Sequence, residues 1–227
     1  SLYEPSFKYA MPQTGEKIDV TVGVVAPQFS GDGGYYWQTN KKDESVASMV
    51  RALRTSFNEL FIAKGFNTSG PFDALDNMTF PEKKGADFVL YPDIDVSGGS
   101  KPVNVRVEDH GVPGWSVDMV TLCDITFALS GSVQLVAIEP LSGEKMWVKR
   151  IVVSQPMQKF KAQCDDCNGG AEFLYGAPVP NDVRNAKAKA HEAMYVSVMT
   201  ALNQYVNGEE FQMLKRQAAE LRAKKAY

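Results

Sequence analysis

Residues 119–138 alternate in polarity position by position, and no other stretch restricts the fold as tightly. Cys123, Ile125, Phe127 and Leu129 fall on one side of an extended chain, while Asp124, Thr126 and Ala128 fall on the other. Successive side chains of a strand point to opposite faces, so a period of two means a strand with one buried face. Gly131 reads as a bulge, after which Val133, Leu135 and Ala137 resume the apolar side. The segment EPLSGEK, from Glu139 to Lys145, reads as a turn, and MWVKRIVV, from Met146 to Val153, as the returning strand.

A long hairpin with one apolar face needs a cover, and helical periodicity elsewhere supplies it. Val46, Met49, Val50, Leu53, Phe57, Leu60 and Phe61 recur at three- and four-residue steps over residues 44–64. Asp43 caps this helix, and Gly65 ends it in the left-handed conformation. A second helix is expected over 182–206, capped by Asn181, with Val183, Ala186, Ala190, Met194, Val198, Ala201, Leu202 and Tyr205 as its buried stripe. A third, over 209–225, carries Phe211, Leu214, Ala218 and Leu221. Further strands are expected over 18–29, 66–68 and 86–96, with a turn at Gly70-Pro71 and a short helix over 79–86 capped by Thr79.

This order has too few β-α-β crossovers for a doubly wound parallel sheet. The expected fold class is α+β: a mixed, mainly antiparallel β-sheet with two or three long helices packed on one face. Residues 1–17, with Pro5 and Pro12, read as an extended N-terminal arm, of which Ser1 to about Gly15 is expected to pack poorly and to act as a tether or dock on a partner. Residues 18–227 form a single α+β domain. Three loops are expected: a Gly-rich one over 30–42, one over 97–118 with a short strand at 103–107, and one over 154–181.

Charge excludes one class of partner. The net charge is −3, whereas nucleic-acid binders carry a basic excess to neutralise phosphates. No run of about 18 apolar residues exists to form a membrane-spanning helix. The basic C-terminal helix end (Lys215, Arg216, Arg222, Lys224 and Lys225) complements a helix dipole or attracts anionic lipid or glycan.

Residues with chemical potential are scattered. Cys164 and Cys167, in Cys-Asp-Asp-Cys, read as a local loop disulfide, with a zinc half-site or a redox pair as alternatives. Cys123 reads as a small buried core residue with a free thiol. Gly31-Asp32-Gly33-Gly34 lacks the Lys-Ser/Thr of a phosphate loop. His110 lies in a Gly/Pro loop and His191 on a helix face with Lys187 and Glu192, where a solvated ring is expected. No GxSxG or HExxH motif occurs. Asp93/Asp95 and Asp165/Asp166 read as polar edges rather than a carboxylate site. The chain is therefore expected not to be an enzyme and to use no cofactor or metal. Tyr35, Tyr36, Trp37 and Trp115 form the candidate binding group, because loop aromatics combine rigid area with a polar tip. The alternative is that these rings pin their own loops to the body.

The turn Ile138-Glu139-Pro140-Leu141-Ser142-Gly143-Glu144 and the closing helix Phe211 to Lys225, with Ala219-Glu220-Leu221, resemble the neuraminyllactose-binding haemagglutinin-like lipoproteins of Gram-negative envelopes. Lys64-Gly65-Phe66 and Gly85-Ala86-Asp87 extend the likeness toward the N-terminus. The resemblance implies an outer-membrane lipoprotein, facing the periplasm or the surface or secreted, with adhesion as its activity. That family's sialic-acid motif is a Lys/Arg-rich run, and here only Lys101 and Arg106 stand in the matching region. The expected function is an envelope lipoprotein that binds other envelope or surface components, protein or glycan. The alternative is a structural subunit of a larger assembly, homo-oligomers included. Membrane contact would come only through a lipid anchor or the periphery.

Overall fold

A computed structural model describes residues 1–109, 111–114, 119–154, 158–163 and 181–225. Seven strands form one mixed sheet: β1 (Thr21–Val25), β2 (Gln28–Phe29), β3 (Asn67–Phe72), β4 (Phe88–Asp109), β5 (Met119–Glu139), β6 (Glu144–Ser154) and β7 (Gln158–Gln163). The helices are α1 (Gly31–Asn40), α2 (Glu44–Ala63), α3 (Phe80–Gly85), α4 (Asn181–Tyr205) and α5 (Gly208–Lys225). The expected α+β class and mixed sheet are observed. The order β3-β1-β4-β5-β6 splits the sheet into a parallel half (β3, β1 and the start of β4) and an antiparallel half (β4, β5 and β6).

Alternation assigns the two faces of the sheet. Leu90, Ile94 and Val96 of β4 join Ile125, Phe127, Leu129, Val133 and Leu135 of β5 in the main core. Phe57, Leu60 and Phe61 of α2, Met194, Val198 and Leu202 of α4, and Phe211 and Leu214 of α5 cover them. A smaller cluster on the other face joins Val89, Val136 and Ile138 to Met78 and Ala86. The apolar stripes read from the sequence are thus the packed faces.

The helix ends follow local chemistry. The Asp43 carboxylate accepts from Ser45 N at 2.9 Å, and Gly65 takes φ +92°, as expected. Glu82 closes the start of α3 by accepting from Thr79 N at 2.7 Å.

Four expectations are corrected. Residues 31–40 are helix rather than loop: Asp95, from β4, accepts from Gly33 N at 3.0 Å and supplies the N-terminal cap that the local sequence lacks. Residues 97–109 are not loop, because β4 runs unbroken to Asp109, paired with β5 throughout except at a bulge between Pro102 and Asn104. Gly98 suits this path because a Cβ there would lie 2.4 Å from Tyr36 Cε2 and 2.8 Å from Phe127 Cζ. Residues 158–163, inside the third expected loop, form β7 against β5. Gly70-Pro71 lies within β3 rather than at a turn.

The N-terminal arm is irregular, as expected, but it packs. Phe7 sits edge-to-face on Tyr195, with centroids 5.7 Å apart. Tyr3 N and Ser6 N donate to Asn185 and Glu192 of α4, and Gly15 N donates to Ala63 O. Phe7, Tyr9 and Met11 all pack against the main core.

Candidate functional site

The four expected anchors separate. Tyr36 and Trp37 are buried in the main core, Tyr35 is 75 % exposed, and Trp115 lies outside the described residues. Two of the rings therefore pin α1 to the body. Trp37 packs on Phe29 and on His191, at 5.3 and 5.6 Å between centroids.

His191 is completely buried, not solvated. Helix α4 is wedged between the sheet, α2 and the N-terminal arm, which broadens its buried face beyond one stripe. Hydrogen-bond accounting defines the proton positions. Ser45 Oγ donates to Asp43 Oδ1 at 2.8 Å, so it receives the proton of His191 Nδ1 at 2.7 Å. The free lone pair of Nε2 then accepts from the Tyr36 hydroxyl at 2.9 Å. A chain Tyr36→His191→Ser45→Asp43 thus ties α1, α4 and the start of α2 together. Burial lowers the His191 pKa to about 4, against the attraction of Asp43 and with help from Lys187. Burial also raises the Tyr36 pKa, with Asp43 adding to it. With Ser45 between His191 and Asp43, no activated nucleophile results; the arrangement is a structural bracket.

The turn from Ile138 to Glu144 is a second bracket. Glu139, fully buried, accepts from Leu141 N and Ser142 N and from Arg222 Nε at 2.8 Å. Arg222 also donates to Ala86 O at 2.7 Å, at the end of α3. Burial alone would raise the Glu139 pKa, but the Arg222 and Ser142 hydrogen bonds outweigh it and leave it below the usual value. The C-terminal basic residues are largely committed within the chain: Lys215 pairs with Asp19 and Asp87, Arg222 with Glu139 and Lys225 with Glu144.

Cys123 is buried, and it is disulfide-bonded rather than a free thiol. Its partner, and Cys164 and Cys167 with Asp165 and Asp166, lie outside the described residues, as does His110. Asp93 and Asp95 share one face of β4, where Asp95 caps α1. Among the described residues no cluster of His, Cys, Asp and Glu fits a metal ion, and no helix is long and apolar enough to cross a membrane. The clefts beside α4, lined by Tyr3, Asn185 and Lys189 or by Lys159, Lys161 and Asp182, are shallow.

What remains is the arm formed by the distal halves of β4 and β5 with β7. Residues 101–109 of β4 are all exposed, and Val103, Val105 and Val107 are each 53–55 % exposed, with Met119 at 58 % on β5. Strands β1 and β2 pair with β4 only as far as Ile94, so beyond α1 its outer edge meets no strand among the described residues. Lys101 and Arg106 lie on this arm, and Arg106 pairs with Glu108 at 2.9 Å. The arm was hidden in the sequence because SGGSKP, from Ser97 to Pro102, reads as loop. The Val-x-Val-x-Val pattern at 103–107 was its visible signal.

No family model and no curated protein sequence matches this chain. Among solved structures, a Helicobacter pylori protein described as a neuraminyllactose-binding haemagglutinin homologue is similar over 96 % of this chain and 100 % of its own, at TM-score 0.58 and 16 % identity. That likeness is one of fold. A Xanthomonas campestris protein (8 % identity, TM-score 0.35, covering 97 % of this chain and 99 % of its own) and a Neisseria meningitidis lipoprotein (15 %, 0.21, covering 66 % and 88 %) superpose too loosely to bear on it.

Proposed function

We propose that this chain is an extracytoplasmic envelope protein that binds other envelope or surface components through its β4–β5 arm, and that it is not an enzyme. The observation that carries the reading is the exposure of Val103, Val105 and Val107 on a strand whose outer edge meets no other strand among the described residues. Contiguous apolar side chains held in solvent on a rigid strand mark interaction surfaces, and open edges accept extended partner segments. Two further facts agree with the reading. The chain is similar in fold to the haemagglutinin homologue over 96 % of its length, and the disulfide at Cys123 fits an oxidising compartment. Attachment through a lipid anchor at the outer membrane, adhesin-like activity and a protein or glycan partner complete the proposal.

The test replaces Val103, Val105 and Val107 together by Thr, which keeps β propensity and shape while removing apolar surface. Retention of the labelled full chain on isolated envelope vesicles should fall at least tenfold with an unchanged melting temperature. Undiminished retention overturns the reading.

A further inference from the structure

The N-terminal arm has two parts that are held in different ways. From Phe7 to Met11 half-buried and exposed residues alternate: Phe7, Tyr9 and Met11 pack against the main core, while Lys8 and Ala10 face solvent. Asn203 of α4 also donates to the Tyr9 hydroxyl at 3.3 Å. From Ser1 to Ser6 only Pro5 is half-buried, and Leu2 and Tyr3 stay 50 % and 37 % exposed. One polar stripe of α4 holds this outer part. Asn185, Lys189 and Glu192 stand four and three positions apart, on one face of the helix. Asn185 accepts from Tyr3 N at 2.7 Å and donates to Ser1 O at 3.1 Å. Glu192 accepts from the Tyr3 hydroxyl at 2.7 Å and from Ser6 N at 2.9 Å. The Lys189 ammonium lies 5.3 Å from the centre of the Tyr3 ring.

We propose that Ser1–Ser6 is a latch on α4 that opens without the rest of the fold, hinged between Ser6 and Phe7, while Phe7 to Met11 stays docked.

The contacts of the two parts set where the chain yields. All four hydrogen bonds of the outer part lie in solvent. Water replaces such bonds at little net cost. A segment with few buried apolar contacts and exposed backbone hydrogen bonds opens well before the domain unfolds. Phe7 is the first residue of the arm packed against the main core, so opening stops there. Helix α4 does not depend on the latch, because Val183, Ala186, Ala190, Met194 and Val198 hold it in the main core.

Opening has two consequences. It frees six residues, about 20 Å of extended chain. It also uncovers Asn185 and Lys189, which border both the cleft under Tyr3 and the neighbouring cleft lined by Lys159, Lys161 and Asp182. With the latch open, Lys159, Lys161 and Lys189 border a single groove that Tyr3 otherwise shuts at one end. Strands β4 and β5 take no part in this motion, so the latch and the proposed envelope contact succeed or fail separately.

The test uses the full chain. Amide hydrogen exchange followed by NMR should find Tyr3 and Ser6 protected at least a hundredfold less than Met194 and Val198 of α4, and unaffected by urea below the unfolding transition. E192A removes the acceptor of the Tyr3 hydroxyl and of Ser6 N. It should speed exchange of the Tyr3 amide, whose own acceptor is Asn185, at least tenfold. The Gly15 amide, bonded to Ala63 O, and the melting temperature should stay unchanged. Protection and urea dependence equal to those of α4 overturn the proposal. So does a Tyr3 amide indifferent to E192A, or a Gly15 amide accelerated equally. Should E192A fail to fold by circular dichroism, Y3F, which removes only the hydroxyl bonded to Glu192, takes its place: faster exchange at the Tyr3 and Ser6 amides is expected, and unchanged exchange overturns the latch.

Discussion

The Tyr36 hydroxyl and His191 Nε2 lie 2.9 Å apart inside the core, joining a short Gly-rich helix to the longest helix of the fold. Because burial holds the ring neutral down to about pH 4, the unfolded chain binds a proton there first, near its ordinary pKa of about 6.5. Stability is therefore highest above about pH 6.5 and falls as pH drops toward 4. The shift corresponds to a loss of about 3 kcal/mol from this ring. Thermal melts between pH 4.5 and 7.5 should decline less steeply for H191Q than for the unaltered chain; parallel slopes would remove His191 as the cause.

Arg222 is expected to matter through the carboxylate it covers. R222A strands Glu139 in a site with no solvent access, retaining only the Leu141 and Ser142 amides. Breaking a buried pair from one side costs roughly 3–5 kcal/mol. Urea unfolding measures it, with R216A, on the exposed side of the same helix, expected within about 0.5 kcal/mol of the parent. The Glu139 carboxyl, held low by Arg222, should titrate higher in R222A because burial then dominates.

Adjacent aromatics of α1 should behave oppositely. W37A empties a core site and should cost roughly 3–5 kcal/mol, whereas Y35A alters a side chain in solvent and should cost under about 0.5 kcal/mol. Chemical denaturation of both variants checks this.

Glycines of the central strands should differ just as sharply. Gly131 has φ +139°, and a Cβ there would lie 2.1 Å from Asp95 O, so G131A should abolish or severely weaken folding. Gly99, with nothing within 4 Å of its Cβ position, should accept alanine. Soluble yield and melting temperature of the pair provide the comparison.

The disulfide has its own test. Peptide mapping without reductant should recover Cys123 in a linked peptide; alkylation of Cys123 without prior reduction would contradict the bond.

The parts of the fold legible in the sequence were those set by local periodicity. Both long amphipathic helices, the β5–β6 hairpin and the caps at Asp43 and Gly65 depend on near neighbours. What escaped depends on contacts distant in the chain. Helix α1 is capped by Asp95, 62 positions from Gly33, and the Gly98 stretch is a strand because β5 pairs with it and Tyr36 covers it. Gly131, expected as a bulge, stays in register with Val96 and Val153, and its need for glycine comes from the close approach of Asp95 O. His191 looked solvated because a helix period cannot reveal that α4 is covered on several sides. The aromatic run in residues 35–37 was visible as a group, but only the packing of α1 separates exposed Tyr35 from buried Tyr36 and Trp37.

Photo-cross-linking in the native envelope tests the central claim most directly. A photoreactive side chain at position 107, on the arm, is compared with one at position 152 on β6, where the native valine is more exposed still. The account predicts a discrete adduct with an envelope or surface component from position 107 and none from position 152. Adducts from position 152 alone, or the same adducts from both positions, would contradict it.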